Sequence, residues 1–193
     1  RRATAMVDLV DRGEVLLVGG RDASGTPLAD AWLWNGKAWR SVTVPPALAP
    51  RAEHALGYDP ALGQVVLFGG KGANGDLADT WLWDGKSWAA WSGAVAPPAR
   101  SGHAMVYDGD LGAVVMTGGY VNDETQLTYR WTPTGWAAIN GPYTGCEPIR
   151  RRSVQLAHSP LAHATMLFGG RDLTAGIFAY EIRLTATGWP CPA

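Results

Sequence analysis

The sequence predicts an all-β protein assembled from four copies of a four-stranded antiparallel unit. Three observations carry this. Gly-Gly pairs recur at Gly19-Gly20, Gly69-Gly70, Gly118-Gly119 and Gly169-Gly170, their first glycines 50, 49 and 51 residues apart. An arginine (Arg1, Arg51, Arg100, Arg151) stands 18 residues before each first glycine. Each copy holds short apolar or alternating runs bounded by turn formers. A period near fifty marks a repeat architecture, in which each unit buries its faces against its neighbours.

The second copy, residues 51–88, shows the unit most clearly. The first strand runs through His54-Ala55-Leu56-Gly57-Tyr58. His54, Leu56 and Tyr58 share one face, with small residues on the other. Asp59 to Gly63 is a turn. The second strand, Val65 to Phe68, matches Val15 to Val18, Val114 to Thr117 and Thr165 to Phe168. It is apolar on both faces, so both faces are expected to be covered. Gly-Gly ends it, where glycine permits positive φ or close approach of another backbone.

A polar loop follows (21–29 and 71–78 in the first two copies), then the third strand Asp79-Thr80-Trp81-Leu82-Trp83, matched by Asp30 to Trp34. Asn35-Gly36 and Asp84-Gly85 predict two-residue hairpins, whose central residues both take φ > 0. The fourth strand carries Trp39, Trp88, Trp136 and Trp189, each five residues beyond its third-strand landmark at 34, 83, 131 and 184. Pro-rich connections link the copies: Val44-Pro45-Pro46, Ala96-Pro97-Pro98 and Asn140 to Pro148. Four-stranded units covered on both faces pack around an axis as a β-propeller. The expected blades are 1–49, 50–98, 99–149 and 150–193, in a single domain of 193 residues.

A net charge of -1 excludes nucleic acid and anionic membrane surfaces as expected partners. No stretch approaches the ~20 apolar residues of a membrane span. A chain that opens on Arg1 reads as a piece of a longer precursor. Arg outnumbers Lys, and Ala and Pro are abundant, which reads as a GC-rich bacterial source. Cys146 and Cys191 show no metal-ligand spacing. They are expected to form one disulfide in an oxidising compartment, the alternative being two free thiols.

The order R-x-x-H, Tyr-Asp, apolar run, Gly-Gly, Asp-x-Trp-x-Trp and final Trp resembles the kelch repeat of kelch-type and galactose-oxidase-type propellers. The likeness covers the chain in four copies and is closest in the second and third. The first departs at Thr4 and Asp8, the fourth at Val154, His158, Ile182 and Leu184. The resemblance implies five or more blades. Either four blades close a small ring, or the ring is completed by further blades or another chain packing on blades one and four. The second reading is preferred.

Residues that could carry chemistry mostly recur at the repeat period. His54 and His103 could be metal ligands or bases, but their recurrence assigns them to the structure, with Trp81, Trp88 and the eight paired glycines. Asp30 and Asp79 could form a glycosidase pair; recurrence instead assigns them to loop capping through backbone N–H groups. His158 and His163 match no landmark and read as surface or turn residues. Asp22-Ala23-Ser24-Gly25 and Asn122-Asp123-Glu124 lack the spacing of a calcium loop. Arg150-Arg151-Arg152 reads as a solvated strand start. Trp91, Tyr120 and Tyr143 are candidates for an exposed aromatic platform. A copper oxidase of the galactose-oxidase kind would need two tyrosines, two histidines and a Cys-Tyr crosslink, and Cys146 has no such set around it. No catalytic residue, metal or cofactor is assigned.

Non-repeating residues concentrate in the loops after Gly-Gly: Arg21, Asp22, Lys71, Tyr120, Asn122, Asp123, Glu124 and Arg171. Strand order places these loops beside the Pro-rich crossings, where variable loops on a rigid scaffold carry recognition. The expected function is a non-enzymatic, secreted or cell-surface propeller that binds a protein or glycan. The alternatives are a sugar-processing kelch enzyme of oxidase or mutarotase type, or a structural segment of an adhesin or appendage.

Overall fold

The computed structural model describes residues 1–120, 128–139, 152–172, 176–177 and 181–184. These are all-β, and no helix among them is long and apolar enough to cross a membrane. The chain divides into two compact units, one of Arg1–Ser92 with Ala99–Ser101, the other of Gly93–Pro98 with Gly102–Ala193.

The first unit holds two four-stranded antiparallel sheets. One runs β1 (Ala5–Leu9), β2 (Glu14–Val18), β3 (Ala31–Trp34), β4 (Trp39–Val42) in chain order. The other runs β5 (Ala55–Asp59), β6 (Gln64–Phe68), β9 (Thr80–Trp83), β10 (Trp88–Trp91). A small hairpin of β7 (Lys71–Gly72) and β8 (Gly75–Asp76) is inserted after β6. The sheets share one core, to which Leu16, Val18 and Leu33 contribute from the first and Leu56, Val65, Leu67, Trp81, Trp83 and Trp88 from the second.

The second unit repeats the plan. β11 (Ser101–Asp108), β12 (Ala113–Tyr120), β13 (Thr128–Thr132) and β14 (Gly135–Ile139) form a four-stranded sheet. β15 (Gln155–Ser159), β16 (Ala164–Phe168) and β19 (Glu181–Leu184) form a three-stranded one, and β17 (Arg171–Asp172) pairs with β18 (Gly176–Ile177). Trp189 lies outside the described residues, as do Cys146, Cys191, Asn122, Asp123, Glu124, Tyr143, Arg150 and Arg151.

The five-residue spacing sets the register of the outer hairpins. Trp34 pairs with Trp39, Trp83 with Trp88 and Trp131 with Trp136. Ring centroids lie 5.4, 6.1 and 5.2 Å apart, within range for tilted or edge-on aromatic contact. The turn chemistry differs from the expectation. Asn35 and Asp84 do not take positive φ; only Gly36 (87°) and Gly85 (98°) do. Asn35 Oδ1 accepts the Lys37 and Ala38 N–H groups, and Asp84 Oδ1 those of Lys86 and Ser87. The side chain closes the turn, so the loop needs four residues rather than two. The two-residue link occurs instead in the third copy, where Thr132 pairs with Gly135.

A second correction concerns the second strands. Val65 to Phe68 of β6 and Val114 to Thr117 of β12 are buried on both faces, as expected. In β2 only alternate residues are, Leu16 and Val18; in β16 Ala164, Thr165 and Leu167 are buried, while Phe168 is 57% exposed. On β1, Met6 is 54% exposed.

The paired glycines all have positive φ, from 54° at Gly19 to 101° at Gly20, with Gly69 (58°), Gly70 (96°), Gly118 (75°), Gly119 (95°), Gly169 (70°) and Gly170 (99°) between. In the first unit they also lie against the segment that opens a repeat. A Cβ on Gly19 would meet the Arg51 carbonyl at 2.6 Å, and one on Gly70 the Cβ of His54 at 2.6 Å.

Candidate functional site

The repeated polar residues are turned inward. Arg51 is fully buried and turns both terminal guanidinium nitrogens to its own repeat. Nη1 donates to the Gly69 carbonyl (3.0 Å) and Asp79 Oδ1 (2.7 Å), Nη2 to Asp79 Oδ2 (2.7 Å), and Nε to the Ala49 carbonyl (3.1 Å). Trp81 Nε1 donates to Asp79 Oδ2 at 2.7 Å. The first repeat matches it: Arg1 donates to Asp30 (2.5 Å) and the Gly19 carbonyl (3.3 Å), and Trp32 to Asp30 (2.7 Å). Asp79 therefore receives an arginine fork and an indole N–H, and Asp30 one arginine N–H and an indole N–H, each besides its own backbone N–H. Burial alone would raise the Asp79 carboxyl; the Arg51 bonds and charge, with the Trp81 N–H, outweigh it and hold it below its ordinary range.

His54 is wholly enclosed beside the Val18 carbonyl. Burial first, and the Arg51 charge second, lower its pKa from 6.5 to about 3. A ring that stays neutral and shut away cannot serve a substrate as base. It does leave a pH signature. The unfolded chain takes up this proton near pH 6.5 and the folded chain only near 3, so stability is complete above 6.5 and falls as pH drops towards 3. Between pH 7 and 5 the loss from His54 is about 2 kcal/mol. Denaturant unfolding at stepped pH is expected to show a shallower slope by that amount in His54→Thr, which copies Thr4 of the first repeat. An unchanged slope would mean that His54 is not held neutral. His103 is likewise buried, on β11.

The loops after Gly-Gly are built otherwise. Backbone bridges tie Leu28 to Arg51 and Ala52 to Lys71, so in the first unit the loops run beside the crossing into the second repeat, as strand order predicts. Asp22 accepts the Ser24 hydroxyl (2.6 Å) and the Thr26 N–H (2.9 Å), closing its own loop. The Ser24 bond is the main cause holding its carboxyl below the ordinary range. Arg21 Nη1 donates to the Gly25 carbonyl at 3.0 Å, and Lys71 is exposed on β7. In the second unit Tyr120 ends β12, 37% exposed, and Arg171 is exposed on β17.

Between these loops and the crossing lies a cleft of about 360 Å³, lined by Thr26, Pro27, Ala49, Pro50 and residues 72–77. Its lining is mostly apolar and holds no aromatic residue. Asp76, on its wall, keeps Oδ1 buried with no hydrogen-bond donor among the described residues. Of the expected loop residues none is in the lining; Arg21, Asp22 and Lys71 flank it in sequence.

Three features escaped the sequence reading. Arg12 reaches from the first repeat into the second, over the rings of Trp83 (5.6 Å) and Tyr58 (6.0 Å), and donates to the Gly63 carbonyl at 2.8 Å. The Tyr58 hydroxyl donates to Asp11. His158 is not a surface residue: it lies on β15 with its side chain 9% exposed, beside Asp108 and Asp110. His163, in the turn and 78% exposed, does sit at the surface. The signal for His158 was its own departure from the Tyr landmark, matched by Thr165 opposite it where the second repeat has Val65.

Fold and cleft together define an all-β protein of antiparallel four-stranded sheets, with a cleft between loops of its first unit. No protein-family model and no curated protein matches the chain.

Proposed function

We propose that the chain is a non-enzymatic binding module, a kelch-type β-propeller whose loops after Gly-Gly grip an extended segment of a protein partner outside the cell. One observation carries the reading: the cleft lies between the loops after Gly-Gly, while Arg51 and Asp79, which keep the repeat, are taken up in structural contacts. A cleft without aromatic rings offers a sugar nothing to stack on, whereas apolar walls and an unmatched carboxylate oxygen suit side chains and N–H groups of a peptide. The extracellular setting rests on two cysteines without metal-ligand spacing. The exposed apolar side chains of β1 and β16 favour further blades, or another chain, on the first and fourth repeats.

A displayed peptide library and a glycan array, probed with the intact chain, test this. Peptide ligands are expected. Ala73→Arg, which fills the cleft from an exposed position, should weaken them at least tenfold and leave Tm within about 2 °C, as surface changes do. Tyr120→Ala and Arg171→Ala probe the equivalent loops of the second unit. Binding of glycans alone would favour the glycan reading. Binding indifferent to all three changes, or turnover of a sugar, would remove the proposal.

A further inference from the structure

We propose that Asp108, Asp110 and His158 form a binding site for one divalent transition-metal ion of the zinc class. The site goes beyond the binding role argued above and does not depend on it. It lies within the second unit, where β15 passes the turn after β11. One ligand atom from each of the three residues lies within 4.8 Å of the others.

The hydrogen bonds fix which atoms face the centre. Asp108 Oδ1 accepts the N–H groups of Asp110 (3.0 Å) and Leu111 (2.9 Å), the same turn closure that Asp59 makes in the second repeat. Asp108 Oδ2 accepts the Thr165 hydroxyl at 2.7 Å. That hydroxyl has one hydrogen and has given it away, so its 3.0 Å contact with His158 Nδ1 is a bond it accepts. In the neutral ring the proton is therefore on Nδ1 and the lone pair on Nε2.

Nε2 is buried, and no described residue offers it a hydrogen bond. It faces Asp110 Oδ2 at 3.8 Å. Asp110 Oδ1 is turned the other way by a 2.9 Å bond from His163 Nδ1. Two electron-rich atoms thus face each other at a distance too long for a hydrogen bond. Two ligands of one tetrahedral zinc stand about 3.4 Å apart, so a small turn of the half-exposed Asp110 carboxylate would seat an ion between them. The Nδ1–H to Thr165 bond is the kind of outer support that orients a metal-binding imidazole, and Asp108 Oδ2, with one lone pair left after the Thr165 bond, is the oxygen it can offer the ion.

One imidazole and two carboxylates suit Zn²⁺, Mn²⁺ or Co²⁺; calcium prefers an all-oxygen set and Cu(I) a thiolate. The second repeat has Tyr58, Ala61 and Val65 where this site has His158, Asp110 and Thr165. His158 and Thr165 are thus a paired departure on the fourth repeat, facing an acid that keeps the position of Asp11 in the first, which there accepts the Tyr58 hydroxyl.

Titration of the chelator-stripped full chain with ZnCl2 is expected to show one ion bound per chain at micromolar or lower Kd, with a higher Tm. The Co²⁺ form is expected to show d–d bands and no sulfur-to-cobalt charge transfer, which separates this site from Cys146 and Cys191. Asp110→Asn and His158→Gln should each weaken binding at least tenfold. Asp110→Asn keeps the metal-free Tm, since that side chain is half exposed. No saturable binding, sulfur charge transfer, or affinity unchanged in both variants would overturn the site. So would binding lost in His163→Ala and kept in His158→Gln, because the ion would then sit on the exposed His163 pair.

Discussion

Gly70→Ala is expected to destabilise the chain by at least about 3 kcal/mol, against about 1–2 kcal/mol for Gly36→Ala. Both glycines have φ near +90°, at 96° and 87°. They differ in what surrounds them. A Cβ on Gly36 meets nothing within 4 Å, so alanine there bears backbone strain alone. A Cβ on Gly70 falls 2.6 Å from the His54 Cβ and 2.8 Å from the Ala52 carbonyl oxygen. Neither neighbour can yield cheaply, because the carbonyl is backbone and Ala52 also pairs with Lys71. The difference between the two losses, read from denaturant unfolding, measures the close approach itself. Equal losses would mean that strain alone demands the glycine.

Asp79→Ala is expected to cost about 3 kcal/mol, the low end for breaking a buried ion pair, since the Asp79 side chain is 39% exposed. The loss comes from stranding the Arg51 charge, which has no access to water and would keep only two backbone carbonyls. Arg51→Met in the Asp79→Ala background should recover part of it, because the stranded charge goes too. Strictly additive losses in the double variant would defeat this account. Since the pair holds the Asp79 carboxyl low, its contribution is present above about pH 4, the unfolded value, and is lost as pH falls through the folded one. The wild-type chain should lose more stability on acidification below pH 4 than Asp79→Ala does.

The candidate cleft was legible only in outline. Its position followed from strand order, because an antiparallel meander places the loop after its second strand beside the chain's exit. Its walls did not, because which of Arg21 to Leu28 and Lys71 to Leu77 line it depends on how each loop closes. Asp22, read as a contact residue, is bonded within its loop. Recurrence gave Asp79 a structural role, yet not its Arg51 partner. Arg51 and Asp79 lie 28 residues apart, and no local rule joins them.

What the sequence alone determined is the unit: four strands in each of the first three copies, their order, the five-residue register of the paired tryptophans and the glycine positions. Each depends on alternation, spacing or φ, which act over a few residues. Only the tertiary structure decided what one repeat does to the next. It set Arg12 over Trp83, Gly19 against Arg51, and His158 opposite the turn acids of the preceding repeat. Those contacts depend on the offset between separate sheets. Side-chain packing sets that offset, and a repeat period of about fifty residues leaves it unspecified.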